Sequence, residues 1–441
     1  MAFTAAFAAM LLYAHGNRAL VFHGDAYETW QVARALADPS YVYRSFVEYR
    51  GFVVFVLDAV IYRLSMVLGT DGVLTFRFFS SLLFAAFSSM SLPTALGRLA
   101  GVVPTPGKRL LCAAIVFVFF RGYFLYPSND TVALFFLLLS LNAVSGTARL
   151  AVGRTALAGL WLGGAILSRS NYVVASPFVF WLAMMRDNAL VAADRWRDIG
   201  RGLALLVALG AMFVLNAEYV SHRERADRGD HPDALRVLSH QLADGLRIQR
   251  IEWNAGDERY PGMLVYGESR GKAILAAEGL QAGRFQWNEY LSIVSRHPLD
   301  VGVIYARHLF NGLDPAYPTV YVQVVRERSL LFSALNFFLM FSSLAALWRN
   351  RVPLRGTPAL LAMALPALAC MPFPVESRFY MSLSVFLLAF PVFANPWAKC
   401  RYWSKFGLAL AAMLFVAACL AMSAHVFSSL KGVVLPFHTL P

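Results

Sequence analysis

The sequence predicts an all-α polytopic membrane protein with about eleven transmembrane helices, interface-lying helices and one long extracytoplasmic loop. Three observations carry that expectation. Of 441 residues, 58% are apolar and 15% charged, against roughly 45–50% and about 25% in soluble chains. Apolar runs of spanning length recur at roughly 2–22, 74–97, 110–126, 131–146, 156–172, 172–186, 202–220, 329–348, 357–372, 379–395 and 406–425. Positive charge gathers in the short connections between those runs.

The net charge of +13 resides in Arg98, Lys108 and Arg109; Arg149 and Arg154; Arg186, Arg195, Arg197 and Arg201; Arg349, Arg351 and Arg355; and Lys399, Arg401 and Lys405. The segment 221–328 is neutral, with fourteen Lys/Arg and fourteen Asp/Glu. Short basic connections face the cytoplasm. The surplus therefore encodes topology, with attraction to anionic lipid as a by-product, and no nucleic-acid partner is expected. The four cysteines, Cys112, Cys370, Cys400 and Cys419, fall outside the long loop and show neither a disulfide framework nor metal-ligand spacing.

The first run is interrupted by Asn17 and Arg18. It lacks a basic n-region and a cleavage site, so the expectation is a retained helix, not a signal peptide. It leads into HGDAYETW, 23–30. There Asp25 and Glu28 have capping-box spacing for a helix AYETWQVARALA that ends at Asp38-Pro39, and His23 is expected to be wet. The next stretch, GFVVFVLDAVIYRLSMVL (51–68), is ambiguous. As a span it buries Asp58 and Arg63 at a cost of several kcal/mol. Lying in the interface, it keeps both wet and places all five basic connections in the cytoplasm.

The outer side then receives 23–73, PSND (127–130), SRSN (168–171), 221–328, PFPVESR (372–378) and the carboxyl-terminal tail, with the amino terminus inside. Within the long loop, HPDALRVLSHQLADGLRIQR and FQWNEYLSIVSRHP read as helical. VGVIYARHLFNGL, 301–313, reads as a second interface helix. The expected organisation is a transmembrane module over 1–220, a loop subdomain over 221–328 and carboxyl-terminal transmembrane helices over 329–441.

This topology gathers Asp25, Glu28, Asp130, Arg169, Asn171, Glu376 and Arg378 at the ends of spans on one face. Each has a plain structural role open to it. Asn129-Asp130-Thr131 reads as an N-cap, SRSN as a polar turn, and Glu376 with Arg378 as a surface pair. Arg121 either snorkels to the surface or holds a phosphate. Tyr49 and Arg50 either anchor the interface helix or touch substrate. A carboxylate fixed at a helix start also suits a general base. A second one suits orienting an acceptor, or sharing a divalent metal (Mg or Mn) between Asp25 and Asp130. Arginines at the lipid boundary suit a phosphate.

Four motifs in order, GDAY (24–27), TFRFFSSLLFAAF (75–87), SNDTVALFFLLL (128–139) and VESRFYMSLSVFLLAF (375–390), resemble the GT-C superfamily of membrane glycosyltransferases. The likeness is to its oligoprenyl-phosphate-dependent branch, which includes protein O-mannosyltransferases and the lipid A aminoarabinose transferase. The resemblance implies a GT-C-like fold in a bacterial inner membrane, with the site on the extracytoplasmic side. It implies a polyprenyl-phosphate sugar donor and a lipid, glycan or protein acceptor. Asp25 would be the general base and Asp130 its acidic partner, with Glu376 and Arg378 near donor or acceptor. GDAY departs from the doubled acid of many relatives, so the second acid is Glu28 or absent. Two other readings stand beside this one. An O-antigen ligase or polymerase would use a diphosphate-linked donor, with Arg307 and His308 as candidates. A lipid or solute transporter would hold its charges nearer the bilayer midplane.

Overall fold

A computed structural model describes residues 1–441 except 42, 44–50, 146–151, 186–194, 227–233, 255–261, 281–285, 323–328, 350–355, 399–401, 430–432 and 437–441. The first half is a series of helices: α1 (Ala2–Gly16), α2 (Gly24–Ala37), α3 (Val53–Leu68), α4 (Gly72–Ala86), α5 (Leu92–Leu99), α6 (Pro106–Phe120), α7 (Asn129–Val144), α8 (Val152–Ser168), α9 (Ser176–Met184) and α10 (Arg195–Ala226). The outer segment holds α11 (Ala234–Arg247), β1 (Ile248–Asn254), β2 (Gly262–Gly267), α12 (Ser269–Ala277), α13 (Trp287–Arg296), α14 (Pro298–Gly312) and β3 (Tyr321–Val322). Then come α15 (Leu330–Arg349), α16 (Gly356–Leu368), α17 (Met381–Ala389), α18 (Tyr402–Ser429) and β4 (Val433–Pro436).

Among the described residues, four helices are long and apolar enough to cross a membrane: Gly72–Leu99, Ile199–Ser221, Leu330–Arg349 and Ser404–Val426. Six shorter apolar helices accompany them, which marks a membrane protein by length and composition. The first run yields a helix that stops at Gly16, because Asn17 takes the C-cap position and turns its amide back onto the Tyr13 carbonyl at 2.8 Å.

Small residues set the closest packing between helices. Gly159 and Gly163, four apart on α8, face α10. A Cβ at these positions would lie 2.4 Å from the Leu205 carbonyl oxygen and 2.7 Å from the Met212 Cβ, so only glycine allows this approach. A π turn, Phe87–Ser91, links α4 to α5 and loosens the helical ladder there. Two carbonyls of that turn take side-chain donors, Ser89 from Arg109 at 3.0 Å and Ser91 from Asn142 at 2.9 Å. Arg98 caps the end of α7 through the Asn142 carbonyl. Arg98, Arg109 and Asn142 are therefore spent on backbone carbonyls, one near the end of α7 and two in the π turn.

Two expectations are corrected. The all-α assignment misses a four-stranded sheet in the order β3-β1-β2-β4. In it β2 pairs antiparallel with both β1 and β4, and β3 pairs parallel with β1. The helix expected to run to Arg250 stops at Arg247, and the chain turns into β1. Burial of the pair Arg250–Glu252, two apart on one strand face, favours the extended form. The second correction concerns α3. It packs on α2 and α4 with Asp58 inward, 5% exposed, and Val56, Val60 and Val67 outward. Asp58 is therefore dry, its Oδ2 has no hydrogen-bond partner, and burial pushes its carboxyl well above the usual carboxylate range. Arg63 turns the other way, donating to the Ala37 carbonyl at 3.1 Å.

Buried polar contacts hold the outer subdomain together and bind it to the bundle. Arg250 donates to the carbonyls of Asn311 and Asp314 at 3.1 and 2.9 Å. Ser423 of α18 donates to the Asp314 carboxylate at 2.9 Å. β1 also hydrogen-bonds outside its sheet, from the Ile251 amide to the Val375 carbonyl at 2.8 Å.

Candidate active site

Four separated segments bring charged side chains to one place. Asp25 lies in the first turn of α2. Gly24 precedes it with φ +48°, a left-handed conformation that glycine adopts without a Cβ penalty. Phe22, just before, stands edge-on to Trp30 and to Phe76, each at 5.4 Å, and pins this corner to α2 and α4. Asp130 lies in the first turn of α7. Arg169 follows the last residue of α8, and Glu376 and Arg378 flank the start of the short 3-10 turn Ser377–Tyr380 before α17.

Neither aspartate is a helix cap. The N-caps of α2 and α7 are His23 and Ser128, and neither side chain makes a capping bond. Both carboxylates instead meet arginines. Arg378 reaches Asp25 at 2.8 Å, Glu376 at 2.7 Å and Asp130 at 3.9 Å. Arg169 holds Asp130 with two nitrogens, Nε to Oδ1 at 2.9 Å and Nη1 to Oδ2 at 3.2 Å, the bidentate geometry that fixes a carboxylate plane. Phe379 lies under both guanidiniums, 4.1 Å from that of Arg169 and 5.4 Å from that of Arg378. Three carboxylates face two guanidiniums, so the cluster carries one excess negative charge. Arg378 is 8% exposed and Arg169 17%. Glu376 and Arg378 are thus not a pair at the water surface.

The surroundings are ordered. Tyr123 hydrogen-bonds Ser377 at 2.8 Å. Asn171 donates to the Pro366 carbonyl at 2.8 Å and to the Cys370 thiol at 3.2 Å, bracing SRSN against α16. Gly51, φ +104°, abuts the Leu167 carbonyl beside Arg169, where a Cβ would come within 2.3 Å.

Other candidate residues lie apart from this cluster. Glu28 accepts from the Tyr43 hydroxyl at 2.7 Å, and burial, then this carboxylate, raises the Tyr43 pKa. Arg121 donates to the Phe117 and Val118 carbonyls of its own helix and lies over Tyr13 at 5.3 Å. Tyr49 and Arg50 lie outside the described residues. His23 is buried and its ring lies 6.2 Å from that of Tyr321, a correction to the wet position expected for it.

His308 is fully buried between the carbonyls of Met371 and Ile248, at 2.7 and 3.1 Å, and Arg307 holds Glu268. Both side chains are committed to contacts of α14 with its neighbours. Among the described residues no three His, Cys, Asp or Glu side chains form a metal-binding group. Asp25 and Asp130 each face a guanidinium where a bridging cation would sit, so this donor set does not fit the Mg or Mn option.

Tyr321 is a site neighbour that the sequence reading missed. Its hydroxyl accepts from the Ala26 amide at 3.1 Å. The signal was the short β-branched and aromatic run PTVYV, 318–322.

Comparison with family models, with curated proteins and with solved structures yields no match to this chain.

Proposed function

We propose that the chain is an inverting membrane glycosyltransferase. It moves a sugar from a polyprenyl-phosphate donor to an acceptor hydroxyl at the extracytoplasmic face of a bacterial inner membrane. The supporting observation is the meeting of Asp25, Asp130, Arg169, Glu376 and Arg378 from four segments at one pole of a helical bundle. The opposite pole carries Arg98 and Arg109 on helix ends. In this reading the bundle has eleven spans, with the basic pole inside.

Asp25 takes the acceptor's proton. The acceptor oxygen then attacks the anomeric carbon while the bond from that carbon to the phosphate oxygen breaks. The electron pair leaves with the polyprenyl phosphate, and the configuration inverts. Phosphate leaves readily, so catalysis rests on placement and charge. Arg378, in contact with Asp25 and Glu376, keeps Asp25 aimed. Arg169, the more exposed guanidinium, meets the donor phosphate, and Asp130 positions it.

The test is Asp25→Asn in membranes supplied with labelled donor. The expected loss is about 100-fold or more, the scale of a missing general base. Full activity would refute the proposal. Release of lipid diphosphate would point to the ligase reading, and flux into proteoliposomes without glycosyl transfer to the transporter.

A further inference from the structure

The segment 318–321 is held from three sides. The Gly122 amide, in the turn after α6, donates to the Pro318 carbonyl at 2.8 Å. The Tyr321 ring meets that of Tyr126 edge-on at 4.7 Å, just before the turn into α7. Its backbone pairs with Trp253 of β1. From this hub the phenol, 3% exposed, reaches the first turn of α2. First-turn amides lack a partner four residues back. The Ala26 amide is shared between the His23 carbonyl at 3.0 Å and the Tyr321 hydroxyl at 3.1 Å.

The strand that carries Tyr321's partner also grips the other side of the site. Ile251 of β1 donates to Val375, the residue before Glu376. Two paired strands of the outer sheet thus touch the chain segments that supply the Asp25–Arg378 pair, β3 at the start of α2 and β1 just before Glu376. Burial raises the Tyr321 pKa, so the phenol keeps its proton at neutral pH. The oxygen that accepts from Ala26 is therefore a neutral hydroxyl. Asp25, Glu376 and Arg378 are the charged groups close enough to influence it.

We propose that Tyr321 is a positioning residue through which the outer sheet sets the start of α2, and so the aim of Asp25 at its acceptor. This rests on the glycosyltransferase reading for its catalytic consequence but not for the tether itself. The folding of the outer segment then completes the site.

The test is Tyr321→Phe in the full chain, which keeps the ring and removes one oxygen. Two readouts separate the claims. Hydrogen exchange of the peptide 23–30 is expected to rise about fivefold, the scale of one lost hydrogen bond, with exchange across β1 unchanged. Glycosyl transfer is expected to lose kcat about tenfold with donor KM within about twofold, since misplacement acts on the chemical step. Unchanged exchange in 23–30, an equal rise across β1, or increased exchange with unaltered kcat each overturns the positioning role. Increased exchange in a protein whose wild type transfers no sugar leaves the tether standing and removes the enzyme reading instead.

Discussion

Replacing Arg378 by methionine tests the charge arrangement directly. Methionine matches the length of the stem and removes the guanidinium. Unit charges 2.8 Å apart, the separation to Asp25, attract by about 6 kcal/mol at an effective dielectric constant of about 20. Desolvation of Arg378 offsets much of that. Removing one partner of a buried pair nonetheless costs about 3–5 kcal/mol, because the remaining charge is left uncompensated. Here three carboxylates would remain around a single arginine.

The expected result is therefore a fall of about 3–5 kcal/mol in unfolding free energy, read by SDS titration of the purified protein. Acid should partly restore it, since protonation removes the repulsion. The double variant Arg378→Met with Glu376→Gln should recover about 1–3 kcal/mol of the loss, the range of coupling between contacting residues. Wild-type stability in Arg378→Met, with the same pH dependence, would refute the reasoning. It would mean that these carboxylates are solvated well enough to need no counter-charge.

Gly24→Ala forces a side chain into the left-handed region at φ +48°. It should cost about 1–2 kcal/mol and lower transfer activity by displacing Asp25, measured as stability and kcat together. Gly163→Leu drives a side chain into Met212 across the α8–α10 contact. It should destabilise by about 1–3 kcal/mol in the same titration. His308 has its pKa lowered by burial. The unfolded chain therefore binds the proton first, and stability is complete above about pH 6.5. It is lost as pH falls through the lower folded value. Hydrogen exchange across β1 and α14, once corrected for the intrinsic pH dependence of amide exchange, should show more opening at pH 5 than at pH 7.5, and His308→Gln should abolish that difference.

The apolar helices were legible because lipid or neighbouring helices bury their whole circumference, which leaves long unbroken runs such as 404–426. The five clustered site residues were legible for a related reason. All five lie at the ends of apolar runs, and a shared sidedness brought Asp25, Asp130, Arg169, Glu376 and Arg378 into one set.

What escaped was tertiary. The strand β1 hides its period behind Arg250 and Glu252, which are buried because they pair with each other and Arg250 also meets the carbonyls of Asn311 and Asp314. A polar pattern on a strand reads as a solvated helix when its partner cannot be seen. Asp58 looked wet because α3 carries apolar residues on every side, and only packing decides which face turns inward. Arg121 lies apart from the cluster for a local reason: its guanidinium donates to carbonyls of its own helix. The GLWLGG stretch, 159–164, did carry its own signal, small residues four apart, whose meaning appears in the contact with α10.

The pairing of β2 with β4 has a consequence for biogenesis. β2 leaves the ribosome early, whereas β4 follows α18. Helices α15 to α18 are made between them. Until α18 is inserted with its end on the same side as β2, that strand has an unsatisfied edge, a row of amides and carbonyls open to other pairings. The closing of this sheet therefore reports that the last helix has been threaded in the right direction. A chain with α18 inverted would keep β2 exposed, and quality-control proteases would have an unpaired strand to seize.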